Sequence, residues 1–332
     1  MSFSKIKQQS IRAYILEKVA TSTPDLSTHV AETFEINRNT AHKYIKQLVD
    51  EGVLTRKKRG KYVLRRTEET YEISAPQSES LIFSEYFAPW IKDQAPNVRL
   101  IWEYAFTEMV NNVIDHSGSD MVQIHIFQDA YQTGVLISDR GVGIFQKIKN
   151  HLALPTLEEA VFELFKGKLT TDQSRHSGEG IFFTSRLMDE FFIFSDQKVF
   201  AHNKYDESSL IDDLPQSRGT LVYMSLANNS QKQISQVFDK YSNVDGGFSK
   251  TSVLLKHVFE SPPVSRSQAK RVCNRLENFA EVTLDFDGIE WMGQGFAHQI
   301  FVLFASEHPE VELLTTNMND AVLQMYRHVT AN

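Results

Sequence analysis

The chain has 332 residues, a formal net charge of −7, 41% hydrophobic residues and a single cysteine. That length spans two to three domains of ordinary size, with enough apolar residues for their cores. Lone Cys273 excludes a disulfide framework and points to a reducing compartment; the opening residues do not read as a signal peptide and no apolar run approaches the length of a membrane span, so the expected localisation is cytoplasmic, with no membrane partner.

Charge is divided unevenly. The first 66 residues hold 14 Lys and Arg against 6 Asp and Glu, a net of +8, which leaves −15 for the remainder. A basic unit joined to an acidic body points to a polyanion as partner of the first. Within it, Ile6, Ile11, Ala13, Ile15, Leu16 and Val19 mark an amphipathic helix over 5–19. Asp25 is placed to cap a short helix, Leu26–Phe34. After a turn at Glu35-Ile36-Asn37 a further helix runs over 38–51 and ends at Gly52. Residues 53–56 and 61–64 alternate about 57–60 as a hairpin. Three helices and a basic hairpin resemble a winged helix-turn-helix domain over 1–66. The resemblance implies double-stranded DNA as partner. Arg38, Asn39, Thr40 and Lys43 would face bases or flanking phosphates, and Arg56, Lys57, Lys58, Arg59 and Lys61 of the wing would hold phosphate. Winged helices also serve as protein–protein modules; a wing this basic favours DNA.

Residues 67–96 read as a linker and a packing helix. Glu68, Glu69 and the run Ala75-Pro76-Gln77-Ser78 form the connection; Phe83, Tyr86, Phe87 and Trp90 mark the helix, which Pro89 and Pro96 break.

Asn97 then caps a helix whose buried face carries Leu100, Ile101, Ala105, Phe106, Met109, Val110 and Val113. Glu108, Asn112 and Asp115 stack on it as one polar stripe. A carboxylate and an amide on one face suit the polarisation of a water and the holding of Mg²⁺, which takes hard oxygen ligands. Residues 134–138 read as a buried strand running into Asp139-Arg140-Gly141-Val142-Gly143, where glycines let the backbone approach a ligand and Asp139 can accept a hydrogen bond from an exocyclic amine such as that of adenine. Lys166, Lys168, Thr170, Thr171 and Arg175 lead to Gly178-Glu179-Gly180 and an apolar helix over 181–191, whose N-terminus suits phosphate. Arg218-Gly219-Thr220 opens a strand over 221–224 that closes the pocket floor. No GxxxxGKS or GxxxxGKT occurs, so the pocket is not of the Walker type.

Together these stretches resemble the GHKL (Bergerat) ATPases, which include histidine kinases, type II topoisomerases, mismatch-repair ATPases and anti-sigma-factor kinases. The resemblance covers residues 97–226, about 40% of the chain. Residues 107–116 are similar to the family's N box, which implies Glu108 as general base and Asn112 as Mg²⁺ ligand. Residues 139–143 are similar to the adenine box, and 169–181 to the lid and second glycine box. An α/β sandwich over 97–228 is implied, holding ATP and Mg²⁺ with Asn112, Asp115, Asp139, Gly141, Gly143, Lys168, Thr171, Arg175, Gly178, Gly180 and Thr220 around the nucleotide. Asp172 departs from the pattern, since many lids carry Lys after the two threonines. That leaves Lys168 or Arg175 to meet the γ-phosphate, or leaves hydrolysis weak.

The last third alternates strand and helix. Strands fall at 253–255, 280–286 and 311–314, and helices at 267–279, 295–305 and 319–329, a small α/β domain over 245–332. Residues 282–297 resemble the strand–turn–helix of STAS domains, the fold of anti-sigma-factor antagonists, and more closely the STAS-like domains of unknown function attached to such ATPases. Gly293-Gln294-Gly295 supplies no hydroxyl where antagonists carry a phosphorylatable Ser, which argues against a phosphoacceptor there. Asp285, Asp287 and Glu290 read as an acidic turn rather than a metal site, and His116, His151, His176 and His202 show no ligand spacing. Cys273, beside Val272 and Leu276, reads as packing.

The expected whole is a multi-domain α+β regulator. Winged helix-turn-helix, GHKL sandwich and STAS-like domain succeed one another, and an ATP switch in the middle controls DNA binding in transcription regulation. A regulatory protein partner and, by analogy, a homodimer accompany it. The alternatives are a serine/threonine protein kinase of the anti-sigma-factor type, with Glu108 activating a hydroxyl on a partner, and a slow ATPase with Glu108 as water base.

Overall fold

The computed structural model describes residues 3–331 without 59, 75–77, 170–177, 202–217, 244–246 and 260. Ser4 opens α1 (Lys5–Ala20) by accepting the Lys7 N–H at 3.3 Å, and Ile11, Ile15 and Val19 line its buried face. α2 (Leu26–Phe34) buries Leu26 and Val30; α3 (Arg38–Asp50) buries Ala41, Ile45 and Leu48. Asn37 caps α3 by accepting the Asn39 N–H at 2.8 Å. Asp25 does not cap α2 as expected. Its backbone is left-handed, φ 46°, and its side chain makes no cap bond. β1 (Leu54–Lys58) and β2 (Lys61–Leu64) form an antiparallel hairpin with a bulge between Arg56 and Lys58, and Leu54 joins the three-helix core. Each fully buried aliphatic side chain here contributes about 1.5–3 kcal/mol.

Next in the chain is a six-stranded antiparallel sheet: β3 (Thr67–Ser74), β4 (Met121–Gln128), β5 (Gln132–Asp139), β6 (Glu190–Ser195), β7 (Lys198–Ala201) and β8 (Thr220–Ala227), in spatial order β3-β4-β5-β8-β6-β7. β3 stands where a linker was expected. Tyr71 and Ile73 pack inward while exposed Glu68, Glu69 and Glu72 guard a sheet edge, and that charged row masks the alternation. Only Arg65 and Arg66 separate β2 from β3, and Arg66 lies 4.1 Å from the Phe127 ring and 3.7 Å from the Asp129 carboxylate.

Helices cover one face of the sheet. α4 (Glu79–Ile82), a π segment (Phe83–Phe87) and α5 (Ala88–Ile91) run on without a break. Pro89 does not end them as expected, because it falls in the first turn after the widened π segment, where its missing N–H is tolerated. Pro96 starts α6 (Pro96–Asn112) instead of breaking a helix. Ala95, not Asn97, is its N-cap; the Asn97 amide donates to the Ser230 and Lys232 carbonyls at 2.8 and 3.0 Å. Ile101, Trp102, Ala105, Phe106 and Met109 of α6 share one core with Val122, Ile124, Val135, Ile137 and Met224 of the sheet. α7 (Ile144–His151), α8 (Leu157–Lys166) and α9 (Gly180–Leu187) complete the layer. α9 is shorter than the expected 181–191: Met188 turns extended and Phe191 enters β6 opposite Met224. An unbroken apolar run carries no period to separate helix from strand.

α10 (Ile234–Tyr241) leads to a three-stranded parallel sheet, ordered β11-β10-β9. Its elements are β9 (Lys250–Leu254), α11 (Arg266–Cys273), β10 (Glu281–Asp285), α12 (Gln294–His298), continued through a π segment (Gln299–Phe304) into α13 (Ala305–Glu307), then β11 (Glu312–Thr316) and α14 (Asp320–Thr330). Thr251, Val253, Val282 and Leu284 are buried on one face of this sheet, and the residues that alternate with them in β9 and β10 are half-buried. Ser265 and Gln268 form a capping box on α11. The helix expected to reach residue 279 stops at Cys273, because Arg275 turns left-handed at φ 64°. Asp285 accepts the Asp287 N–H and the Asn317 amide at 2.9 Å, and Asp287 pairs with Lys256 at 3.0 Å, so the acidic turn is a brace. Among the described residues no group of three His, Cys, Asp or Glu is placed to hold a metal, and no helix is long and apolar enough to cross a membrane. Burial pushes the Cys273 thiol up to about 12. The core of this unit includes Phe162 of α8 and Phe182 and Phe183 of α9, with Phe183 stacked 4.0 Å from Phe238 and Phe182 lying 4.5 Å from Phe248. The chain is a mixed α/β, multi-domain protein whose last unit is packed onto its middle one.

Candidate functional site

A cavity of about 300 Å³ opens between α6, the turn after β5, α7 and the start of α9. Ile137, Ile148, Ile193 and Val222 give it an apolar floor. Four distant stretches of chain supply polar groups to its wall: Glu108 and Asn112, Asp139, Gly178 and Gly180, and Thr220.

Glu108 and Asn112 lie one turn apart on α6, so both reach the cavity. α9 begins against Glu108. A Cβ on Gly180 would stand 2.0 Å from the carboxylate, so a side chain there would push the end of Glu108 away from the start of α9. The carboxylate thereby meets the positive end of α9. Asp115 leaves the stripe: the helix loosens into a π segment (Val113–Ser117) that shifts the later residues around its axis, and Asp115 is exposed, off the cavity wall.

Asp139 is 7% exposed at the end of β5 and accepts the Gly141 N–H at 2.8 Å. Burial pushes its pKa up, and the backbone N–H groups of Gly141 and Thr220 pull it back. Behind it, Gly219 at φ 90° passes so close that a Cβ would stand 2.2 Å from the Asp139 carbonyl oxygen. The Thr220 hydroxyl accepts the Ile144 N–H at 3.1 Å and fixes the start of α7. Gly141 and Gly143, expected to bring backbone to a ligand, are packed against other groups and do not line the cavity. Gly141 lies on the Ser117 carbonyl, which also accepts the Val142 N–H at 2.8 Å; Gly143 faces the Asp196 carboxylate.

Lys168 also turns away from the cavity. Its ammonium donates to the Asn278 carbonyl at 2.6 Å and lies 4.8 Å from the Phe279 ring. Burial draws its pKa down, and the Glu179 charge opposes this. Thr171 and Arg175 lie outside the described residues.

One charged wall residue, Lys147, was not singled out from sequence. Lys147 of α7 donates to the His116 carbonyl at 2.7 Å, and burial lowers its pKa. Its signal was helical spacing, since Ile144, Lys147 and Ile148 share a face of α7 and all three line the cavity. Glu179, between the two glycines of the patch read from sequence, also lines the wall. Tyr104 is half-buried nearby, and desolvation together with the charges of Glu108 and Glu179 pushes its phenol up.

On the N-terminal unit, Arg38, Asn39 and Lys43 are exposed on α3, and Thr40 is half-buried. The Arg38 guanidinium is braced by donating to the Ser27 hydroxyl at 3.1 Å. His42 and Lys46, not singled out from sequence, are exposed on the same helix. Arg56, Lys57, Lys58 and Lys61 are exposed on the hairpin, and Arg59 lies outside the described residues.

Residues 268–323 match a family described as a STAS-like domain of unknown function (DUF4325). The match takes in β10, the α12–α13 helix and β11. At its turn, a Cβ on Gly293 would stand 2.7 Å from the Val264 backbone, so the fold admits no side chain there without movement. No curated protein matches the chain.

Proposed function

We propose that the chain is a cytoplasmic, ATP-responsive regulator of transcription. Its middle unit would be a GHKL-type pocket for ATP with Mg²⁺, and residues 1–66 a winged helix-turn-helix on double-stranded DNA. The observation that carries this reading is the convergence of four distant polar stretches on one cavity. Asp139, a buried acceptor, suits the exocyclic amine of adenine. Asn112 offers an amide oxygen, a donor of the hard kind that Mg²⁺ takes, and the ion when bound would offset phosphate charge. Glu108, on the cavity wall against the start of α9, has the position of a general base toward a hydroxyl or a water. The cavity's size suits a small molecule. For DNA, support comes from the net charge of +8 over residues 1–66 and from cations exposed on both α3 and the hairpin. A STAS-like domain is consistent with regulation of the anti-sigma-factor-antagonist kind.

Calorimetry of ATP with Mg²⁺ on the wild type and on Asp139→Asn tests the pocket. Binding by the first, and binding about ten- to a hundredfold weaker by the second, supports it; no binding by the wild type sinks it. The position of Glu108 also favours a second reading, a serine/threonine protein kinase acting on a partner. Labelled ATP added with cell extract would then mark another protein, and Glu108→Gln would abolish the label. A switch that works by binding alone transfers none.

A further inference from the structure

One side chain of the C-terminal unit holds the wall of the cavity. Arg275, in the left-handed turn after α11, reaches back to the connection between α8 and α9. Its guanidinium donates to Glu163 at 2.8 Å, to the Gly167 carbonyl at 3.1 Å and to the Lys168 carbonyl. Glu163, 2% exposed, also accepts from Lys166 at 2.8 Å and from the Asn274 amide at 3.1 Å. Lys166 is wholly buried and donates to the Arg271 and Asn274 carbonyls at 3.0 and 2.6 Å. The Thr251 hydroxyl donates to the Lys166 carbonyl at 2.7 Å. Immediately beyond, the Leu169 N–H donates to the Gly178 carbonyl at 3.1 Å. Gly167, Leu169, Gly178 and Gly180 all line the cavity, and Gly180 abuts Glu108.

We propose that Arg275 is a positioning residue for this cavity, through which nucleotide occupancy and the seating of the STAS-like unit are linked. The proposal rests on the nucleotide reading. A guanidinium spreads its donors over a rigid planar fork, so it reaches the Glu163 carboxylate and the Gly167 and Lys168 carbonyls with a geometry that the compact ammonium of a lysine at this place would not reproduce. Without it, polar atoms at a closed interface lose their partner. A ligand that needs the wall in this position draws on the same contacts, so ATP tightens the STAS-like unit and that unit tightens ATP by the same factor. The unit thus reads nucleotide through contact, which needs no hydroxyl at its turn.

The test uses the full chain as wild type, Arg275→Lys, Arg275→Ala and Arg271→Ala. Arg271 is the control, since it pairs with Glu159 at 3.4 Å on the rim of the same interface. ATP–Mg²⁺ affinity is measured by calorimetry, and hydrogen exchange over residues 268–279 is tracked with and without nucleotide. Arg275→Lys keeps a cation for Glu163 and is expected to bind ATP about tenfold more weakly. Arg271→Ala is expected to bind as the wild type does. Nucleotide should slow exchange over 268–279 in the wild type and in Arg271→Ala, but not in Arg275→Lys. Equal affinity in the wild type and Arg275→Lys overturns the proposal, as does exchange that ATP leaves unchanged in a wild type that binds it. That last measurement needs no variant, so it decides even if Arg275→Lys and Arg275→Ala fail to fold. A wild type that binds no ATP overturns the nucleotide reading and this proposal together.

Discussion

Asp139 sets recognition against stability. Burial raises its folded pKa above the unfolded value, so losing the proton costs more in the folded chain. The contribution of this group to stability is therefore greatest in acid and falls as pH rises from the ordinary Asp value, about 4, through the raised folded one. Above that raised value the cost is complete. Asp139→Asn keeps an acceptor for the Gly141 N–H and removes the charge. It is expected to melt higher than the wild type near neutrality, with the difference shrinking toward about pH 4, and scanning calorimetry across pH checks this. The same substitution should weaken ATP binding about ten- to a hundredfold, the worth of a hydrogen bond to a charged group. Gly180 faces the opposite constraint. In Gly180→Ala the new methyl stands on the Glu108 carboxylate, the end of a flexible side chain, so that carboxylate swings aside while α6 and α9 keep their places. The expected cost is about 1 kcal/mol or less in urea unfolding with ATP binding kept, and the step that Glu108 would serve as base slowed, because the group displaced is that carboxylate.

The hairpin and α3 carry separable predictions. Lys57→Ala combined with Lys58→Ala should lower the slope of log affinity for DNA against log salt by about 1.8, near 0.9 per phosphate contact, as read by fluorescence anisotropy over a salt series. Ile45→Ala removes a side chain 1% exposed in the three-helix core. It should cost that unit about 2–5 kcal/mol and abolish DNA binding while ATP binding persists. Much at this scale was legible in sequence. α1, α3 and α6 announce themselves by apolar spacing, and the polar patches by residue type and chain order. Other elements had no such marker. β3 hides behind outward glutamates, Phe191 sits in a run without a period, and the π segment that turns Asp115 aside is marked by no residue type. Arg275 could not be found from sequence, since two of its partners are backbone carbonyls about a hundred residues away, and a carbonyl leaves no trace in a sequence.

At the scale of the molecule, the middle and last units share a core of Phe182, Phe183, Phe248 and Phe279, so they should unfold in one transition. The first unit has its own core, but not its own freedom. Two residues separate the hairpin from the sheet edge, and they span at most about 7 Å when extended. Arg66 is spent on Phe127 and Asp129 of the next unit. So short a joint, held by Arg66, would pass a twist of the sheet edge on to the wing, as a short lever does and a cord does not. Inserting four Gly and Ser residues between Arg65 and Arg66 should leave ATP and DNA each bound with near-native affinity and remove the effect of one on the other. The proposed switch would then owe its transmission to the shortest segment of the chain.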